Sequence, residues 1–219
     1  MRPSYVAALL AASALLLSGC TARVADKQHY SGFLGDYSQL KPTESVSGQP
    51  TLRWISPDYK SSHYQDVLYT SVVYYPAARP TSRVSQQTLD QVLSYTDVQL
   101  KGAIATRLPL VSQATPHTLK VRAAITAVSA ENQGVQFYEV VPVAAVVAST
   151  MAASGHRTQN SELFLEVEAS DAVSGKPLIR VVRKAFGKRV SNSSTPVTFD
   201  DLKPGIDTLV RDTVSFNAP

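Results

Sequence analysis

The chain has 219 residues, 44% hydrophobic and 17% charged, a balance that excludes a disordered polymer and leaves room for one domain with a sizeable core. Its formal charge of +4 comes without a dense Lys/Arg run, so no nucleic-acid surface is indicated. A single cysteine excludes an intramolecular disulfide, and ten glycines argue against a phosphate cradle.

Met1 to Gly19 has the parts of an export signal: Arg2 as the only charge, an apolar run from Tyr5 to Leu17 broken only by Ser13, then small residues. The run is too short for a membrane span of about 20 residues. It ends in Leu17-Ser18-Gly19-Cys20. A leucine, two small residues and a cysteine resemble the lipobox of bacterial lipoproteins. The resemblance implies that Cys20 is acylated, that cleavage precedes it, and that the processing and sorting machinery of lipoproteins acts on the chain. Several acyl chains anchor far better than one. Thr21 stands where an Asp commonly marks inner-membrane retention, so the implied address is the outer membrane, with the domain facing the periplasm. Cleavage leaves 200 residues and a formal charge of +3.

Residues 20–50 are rich in Ser, Gly, Thr and Pro without sustained periodicity and read as a lipidated tether; residues 51–219 read as the domain. Within the tether, Phe33, Leu34, Tyr37 and Leu40 have helical spacing, so a short turn there can dock on the domain. Trp54, Tyr59 and Tyr64 precede the first expected strand and suit the packing of a domain edge. Asp66–Tyr75 is nearly continuous apolar and aromatic sequence, expected as a strand buried on both faces. Ser85 is placed to cap a helix reaching about Leu108, with Leu89, Val92, Thr96, Leu100 and Ile104 on its buried stripe and Pro109 as its stop.

His117–Ala130 alternates, with Leu119, Val121, Ala123, Ile125 and Ala127 on one face and Lys120, Arg122 and Thr126 on the other. Val140–Gly155 carries no charge and is bracketed by Pro142 and Gly155. Ala144, Ala148 and Ala152 form a small-residue row there, suited to a crossover helix buried on the sheet or to a contact with another chain, a homo-oligomer included. Ser161–Ser170 points Leu163, Leu165, Val167 and Ala169 inward, and Glu166, Glu168 and Ser170 outward. Leu178–Phe186 returns with Ile179, Val181 and Ala185 inward, and Arg180, Val182 and Lys184 outward. Face parity then pairs Glu168 with Arg180 or Val182, and calls for a loop of three or five residues with Gly175 at positive φ. A last helix is expected from about Lys203 to Phe216, with Pro204 in its first turn. The whole reads as a single α/β domain: a mixed, mostly antiparallel sheet of about four strands covered by two or three helices.

Three pieces, Ser31–Leu40, Thr118–Thr126 and Gly155–Thr158 running into Leu163–Gly175, resemble an uncharacterised family of proteobacterial outer-membrane lipoproteins, a domain of unknown function. The resemblance covers roughly Tyr30 to the C-terminus and supplies no catalytic residues.

Chemistry-bearing residues form no recognised constellation. His29, His63, His117 and His156 lack metal spacing, and no P-loop, G-x-S-x-G or H-E-x-x-H occurs. Glu166 and Glu168 lie close enough for a glycosidase pair, but Arg180 and Lys184 opposite them suit an exposed charge ladder better. No cofactor and no metal are expected. The expected function is a non-enzymatic envelope lipoprotein that binds or supports an unidentified envelope protein, similar by fold-level analogy to subunits of export and lipid-transport machines. The alternative is an envelope hydrolase acting on peptidoglycan or lipid.

Overall fold

The computed structural model describes residues 30–131, 159–191 and 194–216. The strands in chain order are β1 (Lys41–Glu44), β2 (Pro50–Ile55), β3 (Asp66–Tyr69), β4 (Val73–Tyr74), β5 (Thr118–Glu131), β6 (Gln159–Asp171) and β7 (Pro177–Val190). Among the described residues two α-helices, α1 (Gln86–Ala105) and α2 (Phe199–Val214), lie on one face. The strands form one sheet in the order β1-β2-β7-β6-β5-β3, with β4 also beside β5. Only β3 and β4 run parallel to their neighbour. The class is therefore α/β and mostly antiparallel, with seven strands among the described residues rather than four.

The additional strands have local causes. Residues 41–44 fall in the stretch whose composition reads as tether, yet they form β1 against β2. Residues 30–40 pack on the sheet as well, so packing against the sheet reaches into the stretch whose composition reads as tether. β2 contains Trp54 and pairs with β7, so the aromatic lead-in is itself partly a strand. Asp66–Tyr75 is not a strand buried on both faces. It is two short strands at the sheet edge, and Val73 and Tyr75 are exposed.

α1 starts where its cap dictates: Ser85 Oγ accepts the Thr88 amide at 3.1 Å. Its buried stripe is Thr88, Leu89, Val92, Thr96, Leu100, Ala103 and Ile104. α2 begins four residues earlier than Lys203, because Thr198 and Asp201 form a reciprocal capping box. Pro204 consequently falls in the second turn. α2 sits close to β7 because two glycines permit it. A Cβ on Gly187 would lie 2.0 Å from the Asp201 carbonyl oxygen, and one on Gly205 would lie 3.1 Å from that of Phe186.

In β5 the register shifts between Ile125 and Ala127, leaving Thr126 as the inserted residue. The shift inverts the alternation. Val128 opposes Leu163 in the helical core, and Ala127 opposes Phe164 on the other face, contrary to the simple period of two. The hairpin obeys parity: Glu168 opposes Arg180, Glu166 opposes Val182, and Gly175 has φ of 73° in the loop between Asp171 and Pro177.

Candidate functional site

On the helical face, the half of the sheet nearest β6's C-terminal end carries Val121 on β5, Leu165, Val167 and Ala169 on β6, and Ile179 and Val181 on β7. The helices do not close over these rows. A cleft of about 740 Å³ remains, lined by Leu100 and Ile104 at the end of α1, by Leu108 just beyond it and by the last residues of α2. This volume is in the usual range of small-molecule sites, about 300–1,000 Å³.

Among the polar groups of the cleft, which include Ser, Thr and Tyr side chains, the cations are Arg53, Arg107 and Arg183. Arg183 opposes Leu165 and Thr51, so it points into the helical face between aliphatic rows. Its guanidinium forms a buried ion pair with Asp212 of α2. Burial pushes the Asp212 carboxyl up, but hydrogen bonds from Ser47 and Ser45 and the Arg183 charge outweigh it and hold the carboxyl below its usual range. Ser47 donates its hydroxyl to Asp212 at 2.7 Å and its amide at 3.0 Å. Arg183 Nε is buried and finds no acceptor among the described residues. Arg53 opposes Val181 on the same face, with its guanidinium 5.4 Å from the Phe216 ring. Arg107 donates to the carbonyls of Val214, at 2.5 Å, and Phe216. It thereby caps the negative end of α2. Glu44, exposed, completes the charged lining.

The opposite face of the sheet is not the exposed ladder expected there. Glu166 is only 2% exposed and Glu168 7%. The strap of residues 30–40 covers them, with Phe33 and Leu34 packed against Leu52, Ala124, Phe164 and Val182. Tyr37 donates its hydroxyl to Glu166 at 2.6 Å, and the same oxygen accepts the amides of Gly32 and Leu34. Burial raises the Glu166 carboxyl above its ordinary range, and hydrogen bonds from Tyr37 and Ser31 offset this only in part. Glu168 is held from both sides, by Arg122 and Arg180 at 2.9 Å each. These arginines also grip the strap: Arg122 donates to the Phe33 carbonyl at 2.9 Å, and Arg180 to the Asp36 carbonyl at 3.0 Å. Lys184 does not reach Glu166 or Glu168. It pairs with Glu162 at 2.7 Å, between the rings of Phe164 and Phe186. The two glutamates are therefore committed to packing, which leaves neither free for acid–base work.

Leu17, Ser18, Gly19 and Cys20 lie outside the described residues, as do Ala144, Ala148, Ala152, His29 and His156. His63 and His117, distant in sequence, do come together on the surface, with ring centroids 4.9 Å apart. Each ring also contacts a carbonyl, His117 Nδ1 that of His63 and His63 Nε2 that of Pro116. Among the described residues no cluster of His, Cys, Asp and Glu is arranged to hold a metal, and no helix is long and apolar enough to cross a membrane. Sequence reasoning missed the cleft and its arginines. Arg183 was within reach of it, since the alternation that turns Val181 and Ala185 inward turns Arg183 inward too.

Residues 29–213 match the model of a family described as "Protein of unknown function (DUF3313)". The chain is 45% identical over 218 residues to proteins named "Uncharacterized lipoprotein YdcL" in Escherichia coli K12 and in Escherichia coli O157:H7, covering 99% of this chain and 98% of each relative. Among solved structures, the hypothetical protein CT253 from Chlamydia trachomatis matches with a TM-score of 0.40 and 12% identity, over 69% of this chain and 94% of that one. The PelC dodecamer from Paraburkholderia phytofirmans matches with a TM-score of 0.36 and 10% identity, over 77% of this chain and 98% of that one. Likeness this loose carries no function across.

Proposed function

The chain belongs to the DUF3313 family, whose YdcL relatives are named lipoproteins, and from that premise we propose that it is a non-enzymatic lipoprotein of the outer membrane. Its domain faces the periplasm and binds or supports a partner in an envelope assembly or transport complex. The observation that carries this reading is Leu17-Ser18-Gly19-Cys20 at the end of the apolar run, with the chain's only cysteine at the acylated position. The cleft supports binding rather than turnover. Its floor is aliphatic, its charged groups are three arginines, Glu44 and an aspartate paired with Arg183, and no histidine is among its lining residues to serve the serines and threonines there as a base. A hydrolase needs a nucleophile or water held by a neighbouring base at such a place. No observation favours the hydrolase alternative.

Mass spectrometry of the N-terminus of chain recovered from bacterial envelopes tests the reading. The expected species begins at Cys20 and carries acyl chains, and it fractionates with the outer membrane. Cys20→Ser abolishes both. A mature chain that starts at another residue without lipid rejects the proposal, and a lipidated chain found only in the inner membrane rejects the address.

A further inference from the structure

We propose that the cleft between the sheet and the ends of α1 and α2 binds the acyl chain of an anionic amphiphile, with the chain on the strand rows and the head at Arg53 and Arg183. The inference deepens the envelope reading, on which it rests for the supply of lipid.

Three observations carry it. The first is apolar surface without a cover. Val167, Ile179 and Val181 are only partly buried, although they continue the rows that α1 and α2 seal at the other end of the sheet. An aliphatic trough on the inner side of a sheet pays to be filled, because its walls lack partner atoms on one side. The second is an unanswered donor. Arg183 is 7% exposed and its Nε has no acceptor among the described residues, although it lines the cleft. A buried donor of this kind calls for an oxygen, and a carboxylate or phosphate supplies one. The third is charge. The cleft's ionisable lining sets Arg53, Arg107 and Arg183 against Asp212 and Glu44. Arg107 is taken up by the α2 carbonyls and Asp212 by Arg183 and Ser47. Arg53, two residues along β2 from Thr51, the partner of Arg183, lines the cleft with its guanidinium 5.4 Å from the Phe216 ring and forms no ion pair among the described residues.

The ligand chemistry is thus an alkyl chain ending in an anionic head. A free fatty acid and an anionic phospholipid both present it. A peptide or a second copy of the domain would depend on neither chain length nor head charge.

The test uses the chain from residue 20 onward with Cys20→Ser, which keeps every residue of the described fold and removes the anchor's own acyl chains as competitors. Saturated fatty acids of stepwise increasing length displace a fluorescent fatty acid, below their aggregation concentrations. Affinity is expected to rise about tenfold for each two methylenes, until the cleft is full. Alkyl alcohols of equal length bind more weakly. Arg53→Gln narrows that difference, and Val181→Phe, which fills the trough, weakens all ligands at least tenfold. A fatty acid with a terminal diazirine reports independently of any variant's folding, and it is expected to label β6, β7 or the end of α1. Vesicles of phosphatidylglycerol form the second arm: transfer of a labelled chain to the protein marks phospholipid as the source, and its absence with fatty-acid binding intact marks the free acid. Affinity indifferent to chain length, label confined to other surfaces, or no binding in either arm overturns the proposal. Loss of binding beside a correctly acylated Cys20 in cells removes the ligand claim alone. An unacylated chain that still binds fatty acid removes the anchor alone.

Discussion

On the helical face, β5, β6 and β7 present Leu, Val and Ala to two amphipathic helices, and one ion pair, Arg183–Asp212, is enclosed among them. On the opposite face the same strands present Arg122, Glu162, Glu166, Glu168, Arg180 and Lys184, and eleven residues of irregular strap cover part of that surface. A helix brings its own satisfied backbone to a sheet and needs only an apolar stripe. A strap does not, so its amides and carbonyls must be met by side chains. Arg122 and Arg180 serve the strap's carbonyls, and the Tyr37 hydroxyl serves its amides while resting on Glu166. The difference teaches that charged residues on a strand face signal solvent only when no irregular chain is available to use them.

The comparison can be broken most severely at the buried ionic contact of the apolar face. Arg183→Met strands Asp212 in the interior and is expected to cost about 3–5 kcal/mol in urea unfolding. The double variant with Asp212→Leu should recover most of that loss, which would show that the helical face does not need its charges. Gly187→Ala presses a Cβ against the Asp201 backbone and should cost about 3 kcal/mol in the same assay, the upper end for overpacking, by lifting α2 from β7. Leu34→Ala attacks the strap instead. It should cost about 2 kcal/mol, the lower end for such truncations, and should speed proteolysis around residue 34 before the helices are touched. The finest probe is Glu166→Gln. Glu166's folded value lies above its ordinary 4.5, so its contribution to stability is full below that value and is lost as pH rises through the raised one. Glu166→Gln keeps an acceptor for Tyr37, stays within about 1.5 kcal/mol of the parent, and flattens that part of the pH profile. An unchanged pH profile would show that Glu166 is not held off its ordinary value.

The helices and the β6–β7 hairpin were legible because their signals are local: Ser85 before a stripe of 3.6 period, and parity across Ser174-Gly175. The strap's turn at Phe33, Leu34 and Tyr37 was visible as a docking element, but not the partners that turn it into part of the core. β1 and β2 escaped because they are short and flanked by turn-forming residues, so their pairing depends on β7, far along the chain. The Thr126 bulge escaped because alternation carries no mark of an inserted residue. The cleft is harder still, since it is defined by where helices stop relative to strands, a tertiary quantity. Its arginines could have been flagged, because Arg183 breaks an inward row.

Packing that includes Tyr30 sets a length scale. Nine residues separate Tyr30 from Cys20. With the anchor proposed at Cys20, even a fully extended connection spans only about 35 Å. A tether running to residue 50 would have allowed about 100 Å. The domain is then a short-leashed body, diffusing in two dimensions within roughly one bilayer thickness of the lipid surface. It meets membrane components at high local concentration and cannot sweep the full depth of the compartment, so any partner must come to it or share its membrane.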